Sequence, residues 1–310
     1  MSYTNFPNGV TSFWSPLPDG KFSRANGQNH WFVNTNSTTF GDGTAPDQPF
    51  QTMQAAFNHI GSGDTIHFVG NVREQLVTPV GIFDVLVIGE GNRPRHADAH
   101  TGNNGYETAN WRAPASGAVV GQANVRVLQQ GWRFVNILFV AGDSTAACIE
   151  IVRNAGAGDA ERDGSHCSVY GCRFAGAGVG IRSGVAGLFT EIAYNCEIAY
   201  NKFNDNTTAI SGINGNSWSI HHNEFQGCTS VITFACQNTM IYENIVGAFT
   251  AAGNSGGIDL NGGGGKCFVT KNYLSGTYSI AGGYRVSNAN DEWAGNFNTL
   301  AGGITVADPA

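Results

Sequence analysis

Two groups of side chains in this sequence have the residue types that acid–base chemistry needs. Glycoside hydrolysis uses two carboxyl groups about 5–10 Å apart, one protonated and one ionised. The first group consists of His222, Glu224 and Glu243. The second is the loop GDAERDGSH, which contains Asp159, Glu161, Asp163 and His166. The secondary-structure elements that hold these side chains decide whether the members of either group lie close enough to react together. The loop is also consistent with a solvated, acidic excursion.

Those elements are set by a short pattern that recurs through the second half of the chain. Each copy has an apolar residue, two variable residues, an anchor Asn or Cys, and a second apolar residue two positions later. The anchors lie at positions 172, 201, 223, 244 and 272, so the gaps between them are 29, 22, 21 and 28 residues. A period in the twenties, made of short apolar runs and Gly/Asn turns, is typical of a solenoid.

A second apolar mark follows each anchor. Ile181, Ile210 and Ile232 lie nine residues after their anchors, and Ile280 lies eight after the last one. Each coil therefore has at least two short strands, and weaker copies with anchors at Asn136 and Asn296 extend the array in both directions. The sequence thus predicts an all-β chain, a single-stranded, right-handed parallel β-helix (solenoid) with an N-terminal arm and a short capping helix.

In such a helix, equivalent residues of successive coils stack at about 4.8 Å, so the apolar positions form internal columns. The anchor asparagines suit a sharp bend because Asn tolerates the left-handed backbone conformation, and stacked amides can bond from coil to coil. The two positions before each anchor point outward and form a mixed polar and aromatic stripe. We expect this stripe to be a binding face, a subunit interface or plain solvated surface; its candidate interaction residues are Tyr200, His222, Tyr242, Glu243 and Lys271.

Composition excludes several classes of function. The net charge is −7 and no Lys/Arg run exists, so nucleic acid is not an expected partner. No apolar stretch approaches the ~20 residues that a membrane span needs, and the first residues lack the pattern of a secretory signal. The seven cysteines have no metal spacing and are expected to be small buried side chains made in a reducing cytoplasm, without a disulfide framework. We expect no metal and no cofactor, since no calcium-type run of carboxylates occurs.

Residues 31–91 are predicted to be a capping module with the first coils. The segment 49–61, PFQTMQAAFNHIG, has apolar residues at 50, 53, 56, 57 and 60, which is a helical stripe. Strands are predicted at 31–34, within 63–76 and at 84–91. A helix before the first coil would cover the open end of the apolar stack, which a solenoid must cap.

The run GDGTAPDQPFQTMQAAFNHIGSGDTIHFVGNVREQL, followed by a Gly-x-Gly-x-Arg-Pro turn at Gly89, Gly91, Arg93 and Pro94, resembles the opening of pectin-lyase-like right-handed β-helix proteins. Within that superfamily the chain looks most like bacteriophage virion proteins, which often begin with an arm similar to MSYTNFPNGVTSF. The resemblance covers roughly residues 1–140 by motif. It implies a structural component of the particle, usually trimeric: a head decoration protein, or a tail spike or fibre.

On this basis residues 1–30 are interpreted as an attachment arm, residues 31–91 as the capping module with the first coils, and residues 92–310 as the β-helix body. The leading hypothesis is a non-enzymatic, trimeric capsid decoration protein located in the virion. Its partners would be further copies of itself and the major capsid protein or other virion proteins. The candidate attachment residues in the arm are Tyr3, Phe6, Phe13 and Trp14.

The main alternative is a tail spike that binds or depolymerises host surface polysaccharide, as a glycosidase or a lyase. For that enzyme the candidate catalytic residues are those of the two groups above, Asp163, His166, Glu224 and Glu243. The paired-aspartate motifs of polygalacturonases and the Trp-x-Asp-His segment of pectate lyases are absent. A third hypothesis is a spike that binds host glycan without turnover, with Tyr200, Tyr242 and His222 as a stacking platform.

Overall fold

The computed structural model describes residues 29–90, 109–154, 162–184, 193–250, 256–299, 303–304 and 309. Three sheets, of ten, eight and ten strands, contain nearly all of the strands in these ranges. Neighbouring strands of one sheet come from successive coils, and almost every pairing is parallel. This topology is the parallel β-helix that the repeat predicts. The attachment residues of the predicted arm, the loop residues Asp159 and Glu161, and the turn at 91–94 lie outside the described residues.

The sheets are named here A, B and C in the order in which the chain passes through them. Sheet A contains β1 (His30–Asn34), β2 (Thr65–Val69), β5 (Leu86–Gly89), β8 (Arg133–Val135), β13 (Ser168–Tyr170), β17 (Glu197–Ala199), β20 (Ser219–His221), β23 (Met240–Tyr242), β26 (Phe268–Thr270) and β28 (Glu292–Ala294). Sheet B contains β3 (Asn71–Arg73), β6 (Asn110–Arg112), β9 (Leu138–Val140), β14 (Arg173–Ala175), β18 (Lys202–Asn204), β21 (Glu224–Gln226), β24 (Ile245–Val246), β27 (Tyr273–Leu274), β29 (Phe297–Asn298) and β30 (Gly303–Ile304). Sheet C contains β4 (Leu76–Val77), β7 (Val125–Val127), β10 (Ala147–Ile151), β15 (Val179–Ser183), β19 (Thr208–Asn216), β22 (Ser230–Gln237) and β25 (Ile258–Asp259), with β16 (Ala193–Tyr194) beside β19. A separate antiparallel pair is formed by β11 (Arg153–Asn154) and β12 (Arg162–Asp163).

The predicted capping helix is present but short, α1 (Met53–Phe57). The Thr52 side chain accepts a hydrogen bond from the Ala55 N–H, and the Glu74 carboxylate accepts from the N–H groups of Met53 and Gln54, each at 2.8 Å. These contacts satisfy backbone donors that a helix start leaves without intrahelical partners. All five apolar positions of the predicted stripe are buried in the core: Phe50, Met53, Ala56, Phe57 and Ile60.

Each sheet contributes one internal column. In sheet B the column is aromatic, with ring centroids of successive members 5.9, 5.4, 4.7 and 5.0 Å apart and the rings stacked. Its members are Trp111, Phe139, Phe174, Phe203 and Phe225, which are in register and almost completely buried. Packing of aligned aromatic rings adds to the burial of their apolar area. The columns predicted from the repeat are thereby confirmed for this part of the chain.

Sheet C corrects one prediction. Ile181, Ile210 and Ile232 are in register as expected, but the next member of their column is Ile258. Ile280 lies outside the strands and is 38% exposed. Ile280 belongs to the coil of the anchor Asn272, where Arg285 bridges Asp259, so Tyr284 stands next to Ile258 in the column. The segment after β27 lengthens that coil, so the residue at the usual offset from the anchor is not the one that reaches the sheet.

The anchor asparagines form a continuous ladder. Asn201 donates its side-chain N–H to Asn223 Oδ1 at 3.0 Å, and the same bond recurs at the next three rungs, from Asn223, Asn244 and Asn272 to the following anchor. Each anchor's backbone N–H also donates to the next anchor's Oδ1. The ladder ends at Asn296, and all five anchors are buried.

Two expectations about the bend were wrong. The left-handed conformation belongs to the residue before each anchor and not to the anchor itself. Asn136 is left-handed, with φ +58°, but it stands one position before the anchor row, because Val135 pairs with Tyr170. The anchor position of that coil is therefore occupied by Ile137. Asparagine suits both places, the left-handed position by conformation and the anchor by its amide, so residue type alone does not separate them.

The seven cysteines are buried free thiols, as expected. Burial raises the pKa of Cys172 and of Cys196 to about 12 and the pKa of Cys228 to about 11, so these thiols are poor nucleophiles. In the ranges that the structure describes, no helix is long and apolar enough to cross a membrane.

Candidate functional site

The residues of the predicted stripe meet where sheet A turns into sheet B. Tyr200, His222, Glu243 and Lys271 occupy the left-handed position of four successive coils, with φ between +54° and +58°. The backbone conformation of these four costs roughly 1–2 kcal/mol each relative to right-handed backbone. Such strain is found at functional sites and at sites fixed by their surroundings. We call these four residues, with His221 and Tyr242 beside them, the A–B ridge.

A chain of short polar contacts runs along the ridge. Glu197 Oε1 lies 3.1 Å from His221 Nε2, and the Nδ1 atoms of His221 and His222 are 2.8 Å apart. His222 Nε2 lies 2.9 Å from Glu243 Oε2, and Lys271 Nζ lies 3.8 Å from the other oxygen of that carboxylate. The register of the strands explains this series of contacts, because Glu197, His221 and Tyr242 lie on the outward face of neighbouring strands.

A second histidine pair lies on β1 and β2. His30 Nδ1 lies 2.9 Å from His67 Nε2, and His67 Nδ1 lies 2.7 Å from Glu90 Oε1. Burial and the neighbouring His67 lower the pKa of His30 below its ordinary value, against a smaller opposing effect of Asp64.

The aromatic rings of the ridge stack on each other along the helix axis. The Tyr200 ring lies 4.7 Å from the His222 ring at 18° and 5.2 Å from the Tyr170 ring of the preceding coil. The Tyr242 ring lies 4.7 Å from the His221 ring at 13°. Ring faces are thus turned toward neighbouring coils, and a ligand approaching the ridge meets ring edges, hydroxyl groups and imidazoles. This arrangement favours hydrogen bonding over stacking of a sugar ring.

A groove of about 530 Å³ opens beside the ridge on the sheet B side. Its lining residues are Tyr200, Lys202, His222, Asn223, Glu224, Glu243 and Ile245. Within it Lys202 Nζ lies 2.9 Å from Glu224 Oε1. The structure therefore brings the first predicted acid–base group together on one surface. Each of its two carboxylates contacts a lysine or a histidine.

The second predicted group lies elsewhere. Asp163 is on β12, where its carboxylate accepts hydrogen bonds from the Ser165 N–H and the Gln130 side-chain amide and lies 3.7 Å from Arg153 Nε. His166 is exposed and has a left-handed backbone, φ +58°. None of the contacts described for Asp163 involves a ridge residue. Asp163 thus fixes a turn and an ion pair.

Sequence reasoning missed two members of the site, Glu197 and Lys202. Glu197 stands next to the inward Ile198 and Lys202 next to the inward Phe203, so the alternation of side chains along a strand was the available signal. No metal centre accompanies the ridge: across the described ranges, no group of three or more His, Cys, Asp or Glu side chains is arranged to hold a metal ion.

The fold and the ridge together define a parallel β-helix with a polar, aromatic surface along the bend from sheet A to sheet B. No protein-family model matches the chain, and no curated protein matches it by sequence. Among solved structures, the chain is similar to the pectin methylesterase PemA from Erwinia chrysanthemi, with 10% identity and a TM-score of 0.34 over 90% of this chain and 85% of that one.

Proposed function

We propose that this chain is a non-enzymatic structural component of a bacteriophage particle, a homotrimeric capsid decoration protein that projects a β-helix from the shell. The resemblance of residues 1–140 to virion β-helix proteins supports a location in a bacteriophage particle. The ten strands of sheet A in the described residues span about 45 Å at about 4.8 Å per strand, a length that suits a knob on the shell.

The observation that carries the non-enzymatic part of the proposal is the pairing of the ridge carboxylates. Glu224 lies 2.9 Å from a lysine, and Glu243 contacts both His222 and Lys271. A neighbouring cation favours the ionised form of a carboxyl group. Glycoside hydrolysis requires one of two carboxyl groups to arrive protonated as the general acid. Two carboxylates that each contact a lysine suit a stable surface better than that reaction.

The first test is the copy number of this protein in purified particles, measured by quantitative mass spectrometry against the major capsid protein. We expect copies in the hundreds, as for a protein distributed over the shell. A few copies to a few dozen would place the protein on the tail and contradict the decoration role. Deletion of residues 2–25 should leave a folded β-helix by circular dichroism and abolish incorporation; normal incorporation would show that the arm is not the attachment segment.

The homotrimer has a separate test. Three flat solenoid faces that pack side by side around a closed three-fold axis would bury polar and aromatic side chains that a monomer leaves in water. We expect a mass of three chains by light scattering at micromolar concentration. A monomer under those conditions contradicts this part of the proposal without affecting the fold.

The groove beside the ridge favours one second candidate, a tail spike that binds or cleaves host surface polysaccharide. Its size and its lining of tyrosine, histidine, lysine and glutamate suit a saccharide with many hydroxyl groups. A panel of host glycans, assayed for new reducing ends and for unsaturated sugars, tests it. Turnover that is lost in Glu224→Gln and Glu243→Gln, and retained in the Asp163→Asn control, would establish the enzyme and overturn the leading proposal. Affinity without turnover would establish a binding spike.

A further inference from the structure

The outward face of sheet B has a charge opposite to that of the whole chain. The chain carries a net charge of −7. On the first two strands of this sheet, Arg73 and Arg112 stand side by side in register. The same row continues through uncharged residues, which are Val140, Ala175, Asn204 and Gln226. Two arginines therefore adjoin on neighbouring strands, about 5 Å apart along the helix axis, with no carboxylate in their row.

Arg112 is the more constrained of the two. Its Nε atom is buried and makes no hydrogen bond within the described structure. Burial, together with the positive charge of Arg73, lowers the pKa of Arg112 below its ordinary value. Arginine nevertheless stays protonated in proteins, so the buried N–H needs an acceptor. Glu74, the acid that follows Arg73 in sequence, is committed to the N–H groups at the start of α1.

Sheet C shows how this chain treats two arginines when it supplies their anion. Arg126 and Arg182 stand on either side of Glu150, on successive strands, and both contact its carboxylate. The Glu150 side chain is completely buried between them. In sheet C the acid stands on the strand between the two arginines. In sheet B the two arginines stand on adjacent strands with no strand between them, and their row contains no acid.

We infer that Arg73 and Arg112 form a binding site for an oxyanion that comes from outside this part of the chain. The chemistry is that of a carboxylate, sulfate or phosphate group, which guanidinium N–H donors bind in pairs. This site is separate from the A–B ridge and does not depend on the proposed function. An anion placed there would satisfy the buried Nε–H and remove the repulsion between the two guanidinium groups.

The test uses the full chain in chloride buffer at fixed ionic strength, because added salt alone screens charge. Inorganic phosphate replaces chloride stepwise, and the Tm and the heat of binding are recorded. We expect a saturable rise in Tm for the natural sequence. Arg112→Met, which keeps the length of the side chain without its donors, should weaken phosphate binding about tenfold or more, the value of one or two hydrogen bonds to a charged group.

A second measurement excludes simple damage to the fold. In phosphate-free buffer Arg112→Met should be as stable as the natural sequence or more stable, because it removes a buried unpaired donor and a like charge. Arg285→Met, a half-buried arginine beside sheet C, makes the same change in net charge and should leave phosphate binding unchanged. Absence of a phosphate effect on the natural sequence, or an equal effect on Arg112→Met, overturns the site.

Two further anions separate the sources of the ligand. Glucuronate presents a carboxylate on a sugar, and acetate presents the same group alone. Saturable protection by glucuronate that is lost in Arg112→Met extends the site to sugar acids. Protection by phosphate and not by either carboxylate restricts it to tetrahedral inorganic oxyanions. Both results support an oxyanion site, and protection by all anions that persists in Arg112→Met contradicts it.

Discussion

A single buried asparagine at each of five successive bends from sheet A to sheet B, from Asn201 to Asn296, satisfies several polar groups at once. Asn223 donates its side-chain amide to Ile198 O and Asn244 Oδ1, and its own Oδ1 accepts two bonds from Asn201. Asn223→Ala leaves those buried groups without partners, at about 1–3 kcal/mol each. We expect a loss of roughly 2–4 kcal/mol in the free energy of unfolding, measured in urea. The exposed turn residue Asn261, changed to Ala, should stay within about 0.5 kcal/mol.

The left-handed residues of the ridge allow a sharper comparison between two variants. Lys271 has φ +57°. Its side chain is largely exposed, and its Nζ atom lies 3.8 Å from Glu243 Oε1. Lys271→Gly and Lys271→Ala both remove that contact, but only glycine relieves the left-handed strain. We expect the glycine variant to be more stable than the alanine variant by about 1 kcal/mol in urea unfolding. Equal stabilities would contradict the left-handed conformation at this bend.

At the scale of elements, the first two strands of sheet A make stability depend on pH. The pKa of His30 is lowered in the folded state, mainly by burial and next by His67. As pH falls through the ordinary histidine value of about 6.5, the unfolded chain takes up a proton that the folded chain resists, so folding stability falls. His30→Gln keeps a donor for His67 and removes the titration. Its Tm should therefore drop less than that of the natural sequence between pH 7.5 and pH 5.5.

The elements also show which positions the sequence could predict. Inward positions were predictable because each must be apolar in every coil, as for Ile181, Ile210 and Ile232. The column failed at Ile280 because an offset counted from an anchor holds only while the coil keeps its length. The ridge residues were predictable as a stripe, since they stand next to the anchors. Their contacts were not, because the His221–His222 chain depends on side-chain rotamers and on outward neighbours such as Glu197.

At the scale of the whole molecule, a solenoid is a sum of coils, each stabilised by its neighbours, and one coil should be removable. Glu197 pairs with Ser219, Phe203 with Phe225 and Ile210 with Ile232, so residues 197–218 are one complete coil. When these 22 residues are deleted, the following coil takes the place of the deleted one along the helix axis. Every inward column is preserved. We expect a β-rich circular dichroism spectrum and cooperative thermal unfolding, with a modest loss of stability.

The matched control is the deletion of residues 197–217, which is shorter by one residue. Trp218 then takes the place that Ser219 has in the first variant, and the strand is displaced by one position. Because side chains alternate between the two faces of a strand, this displacement turns inward residues such as Ile220 outward. The protein with the shorter deletion should aggregate or lose cooperative unfolding. If both deletions fold equally well, the columns do not set the register, and the strand pairings described for these coils are wrong.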